Sequence, residues 1–238
     1  MFQTDPFSLI VLFVGLSLLP FVAMIATSSL KIVVVMSLIR NALGIQSIPP
    51  NMVINALAMI LTFYIMAPIM GESWNIAKAE LAKAPAAAAG AARPAGGPQS
   101  SASSAEARWF ETDAVAKAAE PFRTFLAKHT TPRERAFFVN TAEQLWGKDG
   151  EPAKVDTESF YILIPSFCVS ELTKAFQIGF LVYLPFIAID IIVSNILLAM
   201  GMMMVSPVTI SLPFKLLLFV MVNGWTLLIQ GLIRGYVI

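Results

Sequence analysis

SFYILIPSFCVSELTKAFQIGFLVYLPFIAIDIIVSNILLAM, residues 159–200, is the stretch that decides the fold of this chain. It carries charges only at Glu171, Lys174 and Asp190. A helix needs about 20 apolar residues to cross the hydrocarbon core of a bilayer. The stretch therefore predicts a hydrophobic helix that is longer than one membrane crossing.

Three further blocks carry no charge and are long enough to be membrane helices, namely residues 6–30, 51–71 and 216–233. Pro49 and Pro50 separate the first two blocks, because neither residue can donate a backbone hydrogen bond to a continuing helix. The region from Gly201 to Pro213 is rich in Gly and Pro and is predicted to be irregular. This pattern predicts an all-α integral membrane protein with four hydrophobic helices in two hairpins.

The composition supports a membrane protein and argues against several other classes. Of the 238 residues 57% are apolar and 13% are charged, whereas soluble domains have about 25% charged residues. The net charge of +1 gives no basic field that would attract nucleic acid. Cys168 and His129 are the only residues of their types, which argues against a metal centre and a Ser/His/Asp triad. We therefore expect no cofactor and no enzymatic activity.

The chain divides into two hydrophobic hairpins with a more polar region between them. The hairpins are assigned to residues 1–77 and 159–238. Residues 78–107 are an Ala/Pro/Gly/Ser low-complexity segment, which is predicted to be a flexible linker because it cannot bury enough apolar surface. Residues 108–158 are predicted to form a small helical subdomain.

One helix start stands out within that subdomain. Thr131, Pro132 and Glu134 have the spacing of a capping box, with Thr131 as N-cap and Pro132 at the first helical position. The following helix is predicted to carry one apolar stripe, formed by Phe137, Phe138, Leu145 and Trp146. His129, just before this start, is expected on the surface or in the core of the subdomain.

Charge placement predicts the orientation in the bacterial inner membrane. Lys31 and Arg40 lie in the short first connection, which the positive-inside rule assigns to the cytoplasm. Residues 72–158 and both termini would then face the periplasm. The residues before the first block, MFQTDP, contain Asp5 and no basic residue. A signal peptide has a basic start, so we expect this block to remain in the mature chain.

Four of the twelve methionines cluster in one turn, at Met200, Met202, Met203 and Met204. Methionine side chains are flexible and polarisable, so a ring of them could seal around irregular objects. The commoner alternative, by composition alone, is a hydrophobic turn packed in the core.

Four ionisable residues lie inside or beside the C-terminal apolar blocks, where charges are costly and usually face a partner or water. Glu171 and Lys174 are three apart, so they can pair on one helix. Asp190 and Lys215 are nearly equidistant from Met203, so a hairpin would bring them together. Two roles remain open, a structural pairing of helices and a hydrated or gating path.

Small residues near the C-terminus suggest close helix packing. Gly231 and Gly235 have the GxxxG spacing, and Gly224 is on the same predicted helix. GxxxG alone is a weak signal, and coincidence is the commoner explanation. Cys168 is expected to behave as a small buried apolar group.

Four strings of this chain resemble one known family. They are SSLKIVVVMSLIRNALGIQSIPPN (28–51), PFRTFLAKHT (121–130), ILIPSFCVSELTKAFQIGFLVYLPFIAIDIIVSNILLAMGMMMVSP (162–207) and ISLPFKLLLFVMVNGW (210–225). These strings are similar to the SctR family of virulence injectisomes and to its flagellar counterpart FliP. The missing signal peptide favours the injectisome branch. Asn223 stands where the family is expected to have Asp, and residues 78–107 match no family pattern.

The resemblance implies a pore-forming subunit of the type III secretion export gate. Such subunits form a pentamer with SctS-type and SctT-type subunits, next to SctU-type and SctV-type subunits and the inner rod. They conduct unfolded secreted proteins and contact membrane lipid. By this resemblance, Met200–Met204 would be a methionine gasket, and Glu171 would pair with Lys215 of a neighbouring copy. The hairpin argument instead pairs Asp190 with Lys215, and both pairings stay open here.

Three other functions were weighed against this one. A solute or proton transporter could use the intramembrane charges, but the sequence has no inverted repeat and no matching pair of broken helices. A sensor would need a cytoplasmic output module, and the predicted topology leaves no room for one. A membrane protease lacks a convincing Ser–Lys context and a His pair.

Overall fold

The computed structural model describes residues 13–15, 17–18, 21, 24–45, 48–90, 114–147 and 155–237. Twelve of the 25 residues of the predicted first hydrophobic block, residues 6–30, therefore lie outside the described residues. The described ranges contain helices and turns without a strand, which confirms the all-α class. Their eight assigned helices are α1 Ser29–Ala42, α2 Asn51–Gly90, α3 Ala114–Ala118, α4 Glu120–His129, α5 Pro132–Trp146, α6 Phe160–Ala199, α7 Pro207–Met221 and α8 Gly224–Val237.

Two of these helices could cross a membrane by length and composition. They are α6, with 40 residues, and the part of α2 from Asn51 to Glu80, with 30 residues. At 1.5 Å per residue α6 is about 60 Å long, which exceeds the hydrocarbon core. A third crossing is possible if α7 and α8, which meet at an angle of 59°, count as one bent span.

Helix α1 lies at the centre of the larger hydrophobic core. The charge placement in the sequence puts this segment in a short connection, and the structure corrects that to a buried helix. The cytoplasmic side assigned to it stays a prediction. Ile32, Val35, Met36 and Ile39 are completely buried, because their spacing places them on one stripe of the helix, which packs between α2 and α6. Lys31 is also buried, so it does not count as a loop charge in the positive-inside argument.

The C-terminal hydrophobic block is broken where a single helix was expected. Helix α7 ends at Met221 and α8 begins at Gly224. Asn223 between them has φ of 52°, and its carbonyl accepts the hydrogen bond from Leu227 N that starts α8. The expected irregular region is also shorter than predicted, because Pro207 occupies the start of α7 and Pro213 lies inside it.

Substituting Asn223 tests this break. Asn tolerates the left-handed conformation better than most residues, and Ala in the same conformation costs about 1–2 kcal/mol. We expect Asn223→Ala to lower the free energy of unfolding in detergent by about 1 kcal/mol, on the scale of that backbone cost. Asn223→Gly should leave it unchanged or raise it. Equal thermal midpoints for the Ala and Gly variants would contradict this account of the break.

Helix α2 continues to Gly90, so residues 78–90 are helical where a flexible linker was predicted. The reason lies in their composition, because seven of these thirteen residues are Ala, the strongest helix former, and three more are Lys or Glu. Lys117 Nζ lies 3.4 Å from a carboxylate oxygen of Glu80 and links α3 to this helix. Residues 91–107 lie outside the described part of the chain.

Helices α4 and α5 lie against α6. Phe125 and Leu126 of α4 join Leu163 and Phe167 of α6 in a second buried cluster. Thr131 is the N-cap residue of α5 and Pro132 follows it, as predicted, but the Thr131 hydroxyl makes no cap bond. That hydroxyl instead lies 3.1 Å from Ser170 Oγ, so it ties the start of α5 to α6. The predicted stripe on α5 is largely exposed, at Phe137, Leu145 and Trp146, with Phe138 partly buried.

Candidate functional site: a methionine turn and two charged clusters

The methionine turn joins α6 to α7 and points away from the core. Gly201 adopts φ of 73°. Met202 N donates to Leu197 O at 2.9 Å and Gly201 N donates to Leu198 O at 3.0 Å. This is the Schellman pattern that ends a helix, so a glycine is needed directly after Met200.

The four methionine side chains of this turn are exposed in the single chain. The exposed fraction is 101% for Met204, 81% for Met203, 67% for Met200 and 40% for Met202. The turn is therefore not packed in the core of its own chain, which was the alternative. A cluster of exposed apolar side chains of this kind indicates an interaction surface.

Asp190 of α6 and Lys215 of α7 form an ion pair between the two helices that this turn joins. Lys215 Nζ donates to Asp190 Oδ2 at 2.6 Å and to the carbonyl oxygen of Ala42 at 3.3 Å. Ser211 Oγ donates to Asp190 Oδ1 at 2.6 Å. The structure thus brings together the two charges that the hairpin argument paired, and it adds Ser211 and the C-terminal end of α1.

Glu171 is completely buried and lies in a separate cluster. Its carboxylate accepts from Lys174 Nζ at 2.9 Å and lies 3.0 Å from Lys31 Nζ. The Tyr236 hydroxyl also donates to it, and Lys31 Nζ sits 3.5 Å from the centre of the Tyr236 ring. The pair with Lys174 follows the predicted spacing.

Sequence reasoning missed Lys31 and Tyr236 as partners of Glu171. The available signal was a lone lysine directly before the apolar run IVVVM, which a buried helix can carry only if the charge is paired. The positive-inside argument places Lys31 in a short connection, and this gives it no partner on another helix.

His129 closes one side of the Glu171 cluster. Its ring packs 4.7 Å from that of Phe125 and 5.1 Å from that of Tyr236, so it belongs to a core. Burial lowers the pKa of His129 from the usual 6.5 to about 4. The negative charge of Glu171 acts to raise this pKa, and the positive charges of the nearby lysines lower it further. Lys174 Nζ donates to its backbone carbonyl at 2.6 Å.

The three glycines proposed for helix packing have different surroundings. A methyl group at Gly224 would lie 2.3 Å from the ring of Phe219, one at Gly235 would lie 3.8 Å from Lys31 Nζ, and one at Gly231 would meet nothing within 4 Å. The GxxxG pair therefore makes no close helix contact among the described residues. Gly179 of α6 does so instead, because a methyl group there would lie 2.3 Å from Leu38 of α1.

Two further residues complete the placement of the predicted sites. Cys168 is partly buried rather than fully buried, and its Sγ lies 3.7 Å from the carbonyl oxygen of Ile25. Within the ranges that the structure describes, no group of three or more His, Cys, Asp or Glu side chains is arranged to hold a metal ion.

The long apolar helices with buried charges define a helical membrane protein, and comparison with known proteins gives its family. Residues 12–232 match the FliP family, and the chain belongs to this family, which confirms the resemblance to the SctR/FliP proteins of type III secretion. Yop proteins translocation protein R of Yersinia pestis is 47% identical over 98% of this chain and 97% of that protein. Hypersensitivity response secretion protein HrcR of Ralstonia nicotianae is 44% identical over 96% of both chains. Flagellar biosynthetic protein FliP of Bacillus subtilis is 38% identical over 96% of this chain and 90% of that protein.

Proposed function

We propose that this chain is a pore-forming core subunit of a type III secretion export gate in the bacterial inner membrane. Membership of the FliP family and the names of its relatives support a role in a secretion export apparatus. The virulence-related relatives reported above are more similar to it than the flagellar one, with 47% and 44% against 38% identity. This difference favours the injectisome branch.

The exposed methionine turn is the observation that carries the pore assignment. The side chains of Met203 and Met204 are largely exposed in the single chain. The helices on either side of the turn also expose large apolar side chains, such as Ile196, Leu198 and Val208. Burying such surface against other chains is favourable by about 25 cal/mol per Å². By the family resemblance, the proposed functional unit is a pentamer together with SctS-type and SctT-type subunits, in which the turns converge on one axis.

A methionine constriction suits an export gate for unfolded proteins. Unfolded substrates present side chains of every size, so a rigid filter would jam. Methionine is unbranched and deformable, which lets several turns close on one another or around a passing chain. This role requires no catalytic group. SctU-type and SctV-type subunits and the inner rod would adjoin the gate, and residues 72–158 would face the periplasm.

The charges inside the apolar blocks are paired within the described chain. Glu171 and Lys215 belong to different clusters, each with its own partners. An ion pair between Glu171 of one copy and Lys215 of the next would therefore require both residues to exchange partners during assembly. The pairing within each chain supports a structural role and gives no specific support to a transporter.

Changing Met202, Met203 and Met204 together to Ala tests the gasket. We expect the co-expressed and purified complex to assemble normally, because these side chains lie outside the core of the chain. Its ion leakage after reconstitution into liposomes should rise several-fold, because alanine is too short to fill the constriction. Native mass measurement checks the assembly.

A matched triple variant provides the control. Met52, Met59 and Met70 of α2 are also exposed, and changing them together to Ala removes the same number of methionines away from the turn. Leakage should stay at the level of the unchanged protein. Normal conductance and normal secretion in the Met202/Met203/Met204 variant would rule out the gasket.

A further inference from the structure

The contacts of Asp190 and Lys215 form a polar cluster between the apolar core and the methionine turn. We call this cluster the latch, and define it as Asp190 of α6, Ser211 and Lys215 of α7, and the carbonyl of Ala42 at the end of α1. Both carboxylate oxygens of Asp190 are used, one by each α7 residue, at 2.6 Å each. Lys215 and Ser211 are almost completely buried. Three helices therefore meet at one directional set of hydrogen bonds.

Little apolar packing within the chain holds the hairpin between the latch and the turn. On this part of α6, from 191 to 199, Leu197 alone among the described residues is buried, and residues 207–210 of α7 are exposed or only partly buried. The large core side chains Phe186 and Phe219 lie on the other side of the latch along both helices. The position of the turn is consequently not fixed by its own contacts in the chain.

The latch sits at the base of this poorly packed tip. Helix α6 ends nine residues beyond Asp190, at Ala199, and α7 begins eight residues before Lys215, at Pro207. At 1.5 Å per residue, the turn lies about 12–14 Å from the latch along each helix. A small change in the angle between the two helices at the latch is therefore enlarged at the methionines.

We infer that Asp190, Ser211 and Lys215 are positioning residues that set the place of the methionine turn and couple it to α1. This inference rests on the gasket function proposed above. The ammonium group of Lys215 binds the C-terminal carbonyl end of α1, where a cation is favoured. The other end of α1 is held by the pair between Lys31 and Glu171. Helix α1 thus joins the two charged clusters, and the latch links the position of α1 to the position of the methionine turn.

A polar latch differs from an apolar contact in directionality. The pair is buried on the Lys215 side, with 4% of that side chain exposed against 32% of Asp190. Apolar residues of similar volume often replace a buried ion pair without loss of stability, and a partly exposed pair contributes less still, so folding alone does not require these charges. Hydrogen bonds prefer a narrow range of distances and angles. The double variant Asp190→Leu/Lys215→Met keeps a filled contact but loses the directional bonds, which separates positioning from packing.

The test uses the complex co-expressed with its neighbouring membrane subunits. We expect the double variant to assemble with the native subunit composition and to leak ions several-fold more after reconstitution. Asp190→Asn and Lys215→Met each leave one partner without its counter-charge and are expected to be less stable. Their leakage is therefore compared only in complexes whose assembly has been checked by native mass measurement. Lys215→Arg, which keeps charge and donors, should restore most of the closure. Lys78→Met is the control, because Lys78 is exposed on α2.

A distance measurement reports the position of the turn directly. Spin labels at Met203→Cys and Met52→Cys, in a Cys168→Ser background, measure the separation of the turn from the start of α2. In complexes assembled with an excess of unlabelled chain, so that most hold a single labelled copy, we expect one narrow distance distribution in the otherwise unchanged protein and a broadened or displaced one in the Asp190→Asn and double variants. The Lys215→Arg distribution should stay narrow.

The outcomes distinguish this inference from the proposed function. If the methionine variant leaks but the assembled Asp190→Asn and double variants are tight with an unchanged distance distribution, the latch is wrong and the gasket stands. If the methionine variant does not leak, the gasket itself is wrong. In that case an unchanged distance distribution in the Asp190→Asn variant would also overturn the positioning role.

Discussion

Glu171→Gln is expected to destabilise the chain by about 3–5 kcal/mol, the usual cost of removing one partner from a buried ion pair. The carboxylate is completely buried and lies within 3.0 Å of Lys31 Nζ, which is itself almost fully buried. Without the negative charge, the Lys31 ammonium would keep an amide oxygen and the face of the Tyr236 ring as contacts, and neither carries a charge that balances its own. The large effect thus comes from the charge that is left behind.

A compensating variant separates this cause from a general loss of packing. Lys31→Met, Glu171→Leu and Tyr236→Phe together remove the stranded lysine and the unpaired hydroxyl, and apolar replacements of buried ion pairs are often neutral. We expect this triple variant to recover most of the stability that Glu171→Gln loses. The control is Glu158→Gln, because Glu158 is exposed and surface substitutions usually change stability by less than about 0.5 kcal/mol.

Thermal unfolding in detergent, followed by helical circular dichroism, measures these differences. A small shift for Glu171→Gln, comparable to that of the Glu158 control, would show that the buried cluster does not hold the fold as described. A triple variant no more stable than Glu171→Gln would assign the effect to packing and not to the stranded charge.

The free energy of unfolding is expected to fall as the pH falls from about 6.5 to about 4, because of His129. Burial lowers the pKa of this histidine to about 4 in the folded chain, while the unfolded chain keeps the usual value near 6.5. Between these two values the unfolded state binds more protons at this residue, so acid favours unfolding. The loss amounts to about 3 kcal/mol at 1.36 kcal/mol per pKa unit, and this contribution is constant above about pH 7.

The charges around His129 explain why no partner rescues its protonated form. Three nearby lysines, Lys174, Lys31 and Lys128, disfavour the protonated form of His129, and Lys128 directly precedes His129 on α4. The single carboxylate of Glu171 is already used by two ammonium groups and the Tyr236 hydroxyl. An imidazolium cation would add a third positive charge to this cluster.

The measurement compares the thermal midpoint at pH 7.5 and pH 5 in the unchanged protein and in His129→Phe. The variant keeps an aromatic ring beside Phe125 and Tyr236 but cannot take up a proton. Carboxylates titrate in both proteins and cancel in the difference, so the variant should lose less stability at pH 5. Identical pH dependence in the two proteins would contradict the lowered pKa of His129.

Local patterns in the sequence were enough to predict several features. Long uncharged blocks fix an all-α class, since a helix satisfies its own backbone polar groups within apolar surroundings. The pair of Glu171 and Lys174 follows from helical spacing alone. Asp190 and Lys215 follow from a hairpin with the methionines at its tip, because antiparallel helices bring together residues that are equidistant from the turn.

Only the tertiary structure decided the features that depend on contacts far apart in sequence. Lys31 in a short connection predicts an exposed loop, but the carboxylate of Glu171 lets the lysine be buried and makes α1 the centre of the core. The break at Asn223 and the partner Tyr236 were likewise missed, because no local pattern marks a left-handed asparagine or a phenol that reaches a residue on another helix. The sequence alone determined the all-α class and the long uncharged blocks. Packing decided where the helices begin and break, which of their charges and methionines are buried, and which are free to meet another chain.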